Sequence, residues 1–346
     1  MDIKGLSESK YLRMPSDRKM NAYELSNILS KSSKGHDTPS DLLSVVEVNN
    51  TYMELVDRWY AHKGHTLLYA ICLLGALMFG LLLFLFATIS KNQVEAWFFY
   101  SAMVVITTPF LYMGIKGFLL EGFQKTYYPI RLDRIKKEIY VVLPKGGFLK
   151  ADWDDLVIHV AKNKISMISG FFYEIRGYIL DKESGEIKHC VTLGYPPWGG
   201  YEEALALWEF IRMYMEDGDG YKKCSKIIKV CMPIKHKKES VKFSIIRGMS
   251  LLAPNYVLQL LSSPIMVLFI WCRILSVKTS QLPVWPEWIN MQHKNVAYDE
   301  YSKQSKDNAD NNFWEETWPT ICFVVGSLVS LALVLWAGYK YWIMYQ

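Results

Sequence analysis

Two groups of side chains in this 346-residue chain have the types and spacing that chemistry uses. His62 and His65, in the sequence HKGH, would offer two imidazole nitrogens to a metal ion, and Asp152, Asp154 and Asp155 around Trp153 would offer paired carboxyl groups for acid–base work. Neither group is complete. No third or fourth ligand stands beside the histidines, which suit a headgroup-facing position next to a membrane helix, and a turn flanking a strand accounts for the aspartates equally well. Six cysteines, Cys72, Cys190, Cys224, Cys231, Cys272 and Cys322, are scattered, and Cys224 stands too far from Cys231 for a C-x2-C knuckle. They read as free thiols, which suits a cytosolic or membrane-embedded location. There is no G-x-S-x-G elbow, no phosphate-cradling glycine loop and no H-E-x-x-H motif, and the pairs Gly146-Gly147 and Gly199-Gly200 are more simply turns. The sequence points away from an enzyme: it assigns no catalytic residue, no metal and no cofactor.

The densest chemical signal is positive charge. Residues 221–248 carry Lys222, Lys223, Lys226, Lys229, Lys235, Lys237, Lys238, Lys242 and Arg247 against a lone Glu239. Such a stretch holds a membrane flank on the cytoplasmic side, and the same side chains would also bind anionic lipid headgroups at about 1 kcal/mol each before screening. Nucleic acid is a poorer partner, because few aromatic residues for base stacking lie within the stretch.

The elements that position these groups are membrane helices. Charged residues make up 21% of the chain, but residues 66–90 contain none. At 1.5 Å per residue that run exceeds the roughly 30 Å hydrocarbon core. A second uncharged stretch, 96–115, follows a link holding only Lys91 and Glu95, so the two predict a helical hairpin. Pro109 interrupts the second helix but is tolerated where neighbouring helices satisfy the freed carbonyl, and Trp97, Phe98, Phe99 and Tyr100 suit an interfacial belt. A third candidate, 249–272, carries Pro254, Asn255, Gln259 and Pro264 and either spans as a kinked helix or lies in the interface. Spanning is the favoured reading. A fourth, 317–339, has aromatic anchors at both ends. Arg58 and Lys63 place the N-terminus in the cytoplasm. The acidic segment after the third candidate, with Glu287, Asp299, Glu300, Asp307, Asp310, Glu315 and Glu316, is expected outside if that candidate spans, and inside if it does not.

Between 121 and 220 the pattern shifts to short β-rich pieces with turn residues between them. Strands are expected at 129–134, 138–143, 148–153, 156–161, 165–169, 171–180 and 186–194, with a turn at 181–185. An amphipathic helix follows at 201–215, marked by Ala204, Leu207, Trp208, Ile211 and Met215, and Gly218 is its stop. The predicted fold is thus membrane α-helical, with about four transmembrane helices and an inserted cytoplasmic α+β domain. Antiparallel strands closed by a helix resemble a pleckstrin-homology module, although a split barrel or another α+β sandwich reads similarly. The expected organisation is a cytoplasmic start (1–65, helix near 40–60), a transmembrane hairpin (66–120, helices 66–90 and 96–118) and the β-rich domain (121–220). A basic linker (221–248), the third apolar segment (249–275), an acidic loop (276–316) and the last helix (317–339) complete it.

The segments YPIRLDRIKKEIYVV (128–142), ADWDDL (151–156), GYPPWGGYEEALALWEFIRMYMEDG (194–218) and PVWPEW (283–288) resemble an uncharacterised family of bacterial multi-pass membrane proteins. Members are often encoded beside type VI secretion effectors and regarded as immunity proteins. The resemblance covers roughly 121–288 and the hairpin before it, and it implies a context without transferring site residues. Its implication is an inner-membrane immunity protein, non-enzymatic, that binds a cognate effector toxin. A chain with its mass in the membrane and cytoplasm suits a membrane-inserting toxin better than a periplasmic enzyme. Small and polar positions, Gly75, Gly80, Ser101, Thr107, Asn255, Gln259 and Gly326, would pack against the toxin's transmembrane part, and equally serve packing among the chain's own helices. Two other classes remain open: a membrane-anchored sensor or scaffold binding lipid or protein, and a membrane-active toxin or effector accessory factor. The apolar runs lack any ionisable side chain, which argues against active transport.

Overall fold

The computed structural model describes residues 15–144, 146–164, 171–194, 200–253, 255–294, 296 and 298–344. The strand expected at 165–169, Pro254 and Gly199 lie outside them. The chain folds as two compact units: one takes the residues up to Ala61, Tyr127–Lys237 and Leu282–Ala309, and the other takes His62–Thr126, Lys238–Gln281 and the residues from Asp310 onward.

The first unit is built on two antiparallel sheets. Strands β1 (Val45–Val48), β2 (Tyr52–Leu55), β3 (Ile130–Asp133), β4 (Glu138–Val142) and β5 (Phe148–Asp152) pair in sequence order. Strands β6 (Leu156–Lys164), β7 (Phe171–Leu180) and β8 (Ile187–Thr192) form the second sheet. The helix expected near 40–60 is instead the β1–β2 hairpin, with only Arg58–Ala61 (α2) helical. Its turn explains the difference, since the Asn49 side-chain oxygen accepts from the amides of Thr51 and Tyr52, both at 2.9 Å. The β-rich region is therefore not a single insert: N-terminal strands and residues 282–309 complete it.

Alternation along β2, β3 and β4 gives the larger sheet two unlike faces. Met53, Leu55, Ile130, Leu132, Ile139 and Val141 join one hydrophobic core with Leu207, Trp208, Phe210, Ile211 and Tyr214 of α5 (Tyr201–Glu216). The opposite face carries Tyr52, Glu54, Arg131, Asp133, Glu138 and Tyr140, which the strand register sets side by side. A half-exposed sheet would leave such residues in water. Here residues 282–309, with a short helix α9 (Glu287–Gln292), lie over them, and Glu54, Arg131, Asp133 and Tyr140 are buried.

The acidic segment, expected outside or inside according to whether the third candidate spans, packs with the strands. Residues 282–309 fold with the strands, so a bilayer cannot separate the two. The outward placement rested on the contrast between the basic flank before the third candidate and the acidic residues after it, a contrast that carries no sign of the buried anchors Trp285 and Ile289.

The second unit holds α3 (His65–Lys91), α4 (Val94–Glu121), α7 (Val241–Met249), α8 (Tyr256–Thr279) and α10 (Trp318–Met344). Four of its helical stretches are long and apolar enough to cross a membrane. The α4 helix runs through Pro109 unbroken, as expected. The third apolar segment differs in register: a helix stops at Met249, a 3-10 turn follows at Ser250–Leu252, and α8 starts at Tyr256 with the Asn255 side chain accepting from the Leu258 amide at 2.9 Å. Its C-terminal part brings Arg273 into the helix, where the guanidinium pairs at 2.7 Å with Glu239 and both groups are buried.

The ends of these segments meet. The Thr126 amide donates to the Gln281 carbonyl and the Gln281 amide to the Gln124 carbonyl, both at 2.8 Å. Gly64, at φ +100°, caps α3 where an added Cβ would lie 2.6 Å from the Arg273 backbone nitrogen, and the Glu121 carboxylate accepts from the Gly64 and Leu67 amides. Residues 62–126 and 238–281 are each an excursion that returns to its starting point.

Candidate functional site

The covered face of the larger sheet surrounds a cavity of about 500 Å³, with Tyr52, Glu54, Arg131, Lys235, Trp285 and Lys294 among its lining residues. At its base the Arg131 guanidinium lies between two rings, 4.4 Å from the centre of Tyr52 and 4.7 Å from that of Trp285. Its Nη2 donates to Glu54 Oε2 at 2.8 Å, the Trp285 indole N–H donates to the same oxygen at 3.0 Å, and the Tyr127 hydroxyl donates to Oε1 at 3.0 Å. A second buried carboxylate, Glu47, accepts from the hydroxyls of Tyr52 and Tyr298 and pairs with Lys235. Both acids are therefore neutralised inside the site, as burial requires.

His293 closes the inner edge. Its Nε2 lies 3.0 Å from Asp133 Oδ2, and its Nδ1 lies 2.9 Å from the Ile289 carbonyl oxygen and 3.4 Å from Arg131 Nη1. Burial alone would raise the Asp133 carboxyl. The His293 bond and the Lys136 and Ile135 amides outweigh it and hold the group below the ordinary aspartate range. Burial and the neighbouring Glu47 carboxylate push the Tyr298 phenol up to about 12, so it is a donor at neutral pH.

Two further polar nodes fasten the unit. Trp153 stacks on Trp208 with ring centres 6.1 Å apart, and its indole N–H donates to Glu216, which also pairs with Lys137 at 2.8 Å. On the smaller sheet, buried Glu174 bonds Arg58 at 3.1 Å and also Arg176. His159, fully buried beside the Tyr178 ring at 4.5 Å, has no hydrogen-bond partner at either ring nitrogen among the described residues. Burial, with Arg176 nearby, lowers its pKa to about 4.

The residues singled out in the sequence disperse. His62 and His65 have rings 5.5 Å apart, with His65 against Phe269, and the described residues hold no cluster of three or more metal-ligating side chains. Asp152, Asp154 and Asp155 lie at an exposed strand end and turn, with Asp155 3.7 Å from Lys182. Of the basic stretch, Lys222, Lys226, Lys229 and Lys237 are exposed, and Lys223 lies 3.8 Å from Asp217. Lys235 and Lys242 pair with Glu47 and Glu316, Lys238 donates to the Lys278 carbonyl, and Arg247 is buried.

The helix positions divide three ways. Asn255, Gln259 and Gly326 serve the chain itself: Gln259 donates to the Met249 carbonyl at 3.1 Å, and a Cβ at Gly326 would lie 2.6 Å from the Ser263 backbone. Ser101 and Thr107 bond carbonyls of their own helix. Gly75 and Gly80 have open space around them. Gly114 and Gly248, which composition did not distinguish, are also tightly packed, against Leu74 and Ile270.

Arg131, Glu54 and Trp285 were missed because each was read within its own segment. The available signal was the coincidence of a strand alternating apolar and charged residues, IRLD, with a tryptophan-rich segment, PVWPEW, inside an otherwise polar loop.

A family model described as a family of unknown function (DUF6708) matches residues 107–296, more than half of the chain. No curated protein matches, and no solved structure does.

Proposed function

We propose, from the premise that this chain belongs to the DUF6708 family, that it is a membrane-anchored recognition protein that neutralises a toxin without chemistry of its own. In this reading it sits in a bacterial inner membrane and protects the cell from a type VI secretion effector that attacks the bilayer. The observation that carries it is the surface of the α3–α4 hairpin. Phe79, Leu82, Phe86, Phe98, Phe99, Val105 and Ile106 are all exposed, an apolar surface that only lipid or another helix would cover. Gly75 and Gly80 leave backbone on α3 open to close approach.

The topology that supports this reading has one soluble side. Both excursions, 62–126 and 238–281, return to where they start, so the N-terminal residues, the strands and residues 282–309 share a face, and α10 carries the C-terminus across. The lysines of 222–237 favour the cytoplasm for that face. The sheets of five and three strands followed by α5 support reading the soluble unit as pleckstrin-like.

A second reading, a membrane-anchored sensor or scaffold, draws support from the cavity under residues 282–309. Competition separates the two. Cells lacking this gene, mixed with an attacker that delivers the neighbouring effector, should be killed while the parent survives. Equal survival would remove the immunity reading, and loss of membrane potential on expressing this chain alone would replace it with a toxin.

A further inference from the structure

We infer that the cavity of the first unit is a binding site for a phosphate group carried on a larger molecule. The inference goes beyond the immunity reading and stands independently of it.

The charge of the site decides the sign of the ligand. Glu54 lines the cavity and Glu47 bonds the lining residues Tyr52, Tyr298 and Lys235, and each carboxylate already accepts at least three donors, one of them cationic. Lys294, in contrast, is exposed at the lining and has no ion-pair partner among the described residues; His236, also exposed there, offers ring nitrogens, and Lys235, although it holds Glu47, offers further N–H donors. Donors thus come from two separated places in the chain, residues 235–236 and Lys294, to the lining of one space. That arrangement suits an anion with several oxygens rather than a single carboxylate.

The size of the cavity decides that the anion is carried. About 500 Å³ exceeds the volume of a free phosphate, and part of the wall, from Pro283, Val284, Trp285 and Val296, is apolar. A glycerol or similar small organic moiety would lie there. Such a group comes either from a phospholipid headgroup or from a soluble phosphate ester, and the chemistry of recognition is the same.

The test uses the full chain purified in an uncharged detergent without phosphate. Calorimetric titration with glycerol phosphate should give a saturable isotherm. The double variant His236→Ala/Lys294→Ala, confined to exposed side chains, should keep the parent's melting temperature and weaken binding at least about tenfold, since each lost charge-assisted contact is worth about that factor. A second arm places the chain in nanodiscs of phosphatidylcholine with or without phosphatidylglycerol. Saturation by glycerol phosphate in micelles assigns a soluble ester. Binding that needs phosphatidylglycerol and is lost in the double variant assigns a headgroup. No saturable binding in either arm, or equal binding by the variant and the parent, would overturn the site.

Discussion

The Arg131 guanidinium carbon lies 4.7 Å from the centre of the Trp285 ring, joining a central strand to a segment 154 residues later. The contact gives a physical role to two of the segments that carry the family resemblance. Arg131 belongs to the IRLD strand and Trp285 to PVWPEW, and Glu54 holds both. The stretch between the last two helices long enough to cross a membrane is therefore part of the β-sheet unit.

Removing one partner of that group should cost far more than removing the charge altogether. Arg131→Ala leaves the Glu54 carboxylate buried beside two neutral donors and is expected to destabilise the first unit by about 3–5 kcal/mol. The paired change Arg131→Met with Glu54→Leu should recover most of that loss. Urea midpoints of the parent, both single variants and the double variant measure the coupling.

Acid should act on this fold in two steps. The His159 pKa is lowered to about 4, below its ordinary value, so the folded chain keeps the imidazole neutral while the unfolded chain takes up a proton. Stability is lost as pH falls below about 6.5, reaching about 2 kcal/mol at pH 5. The Glu24 carboxyl, where burial is outweighed by bonds from Arg18, the Asn21 amide and Tyr178, is held down to about 2. Its contribution is present above the ordinary glutamate range and is lost only as pH drops from about 4.5 towards 2. His159→Leu should flatten the melting temperature between pH 7 and 5 and leave the lower step in place.

The glycines of the second unit should differ in kind. Gly326→Ala forces a methyl against the Ser263 backbone and is expected to destabilise by about 2 kcal/mol in detergent. Gly75→Ala meets open space and should be neutral or slightly stabilising, because alanine favours the helix. If both variants melt alike, the packing of α10 on α8 is not as described.

Labelling of introduced cysteines tests the one-sided arrangement. In a background without the native cysteines, Ser184→Cys in the turn after β7 and Lys306→Cys should share one accessibility in intact cells, and a tag after residue 344 should show the opposite one. Reaction of Lys306→Cys but not Ser184→Cys with an impermeant reagent would restore an outer loop.

Much of this was legible in the sequence, because the strongest signals are local. The strands at 129–134, 138–143, 148–153, 171–180 and 186–194 and the helix at 201–215 all coincide with elements of the structure, since alternation and the helical repeat are properties of neighbouring residues. The β1–β2 hairpin was hidden because its turn depends on the Asn49 side chain rather than on glycine or proline. The burial of Arg131 was hidden for a different reason. Alternation shows that a face is polar, but not whether a distant segment covers it.

The most direct measurement of the central claim is growth of a heterologous bacterium that produces the neighbouring effector in its periplasm, with and without this chain. With the effector alone, growth should arrest and membrane potential should be lost, and both should be restored when this chain is co-produced. Equal killing with the chain demonstrably in the membrane would contradict the claim.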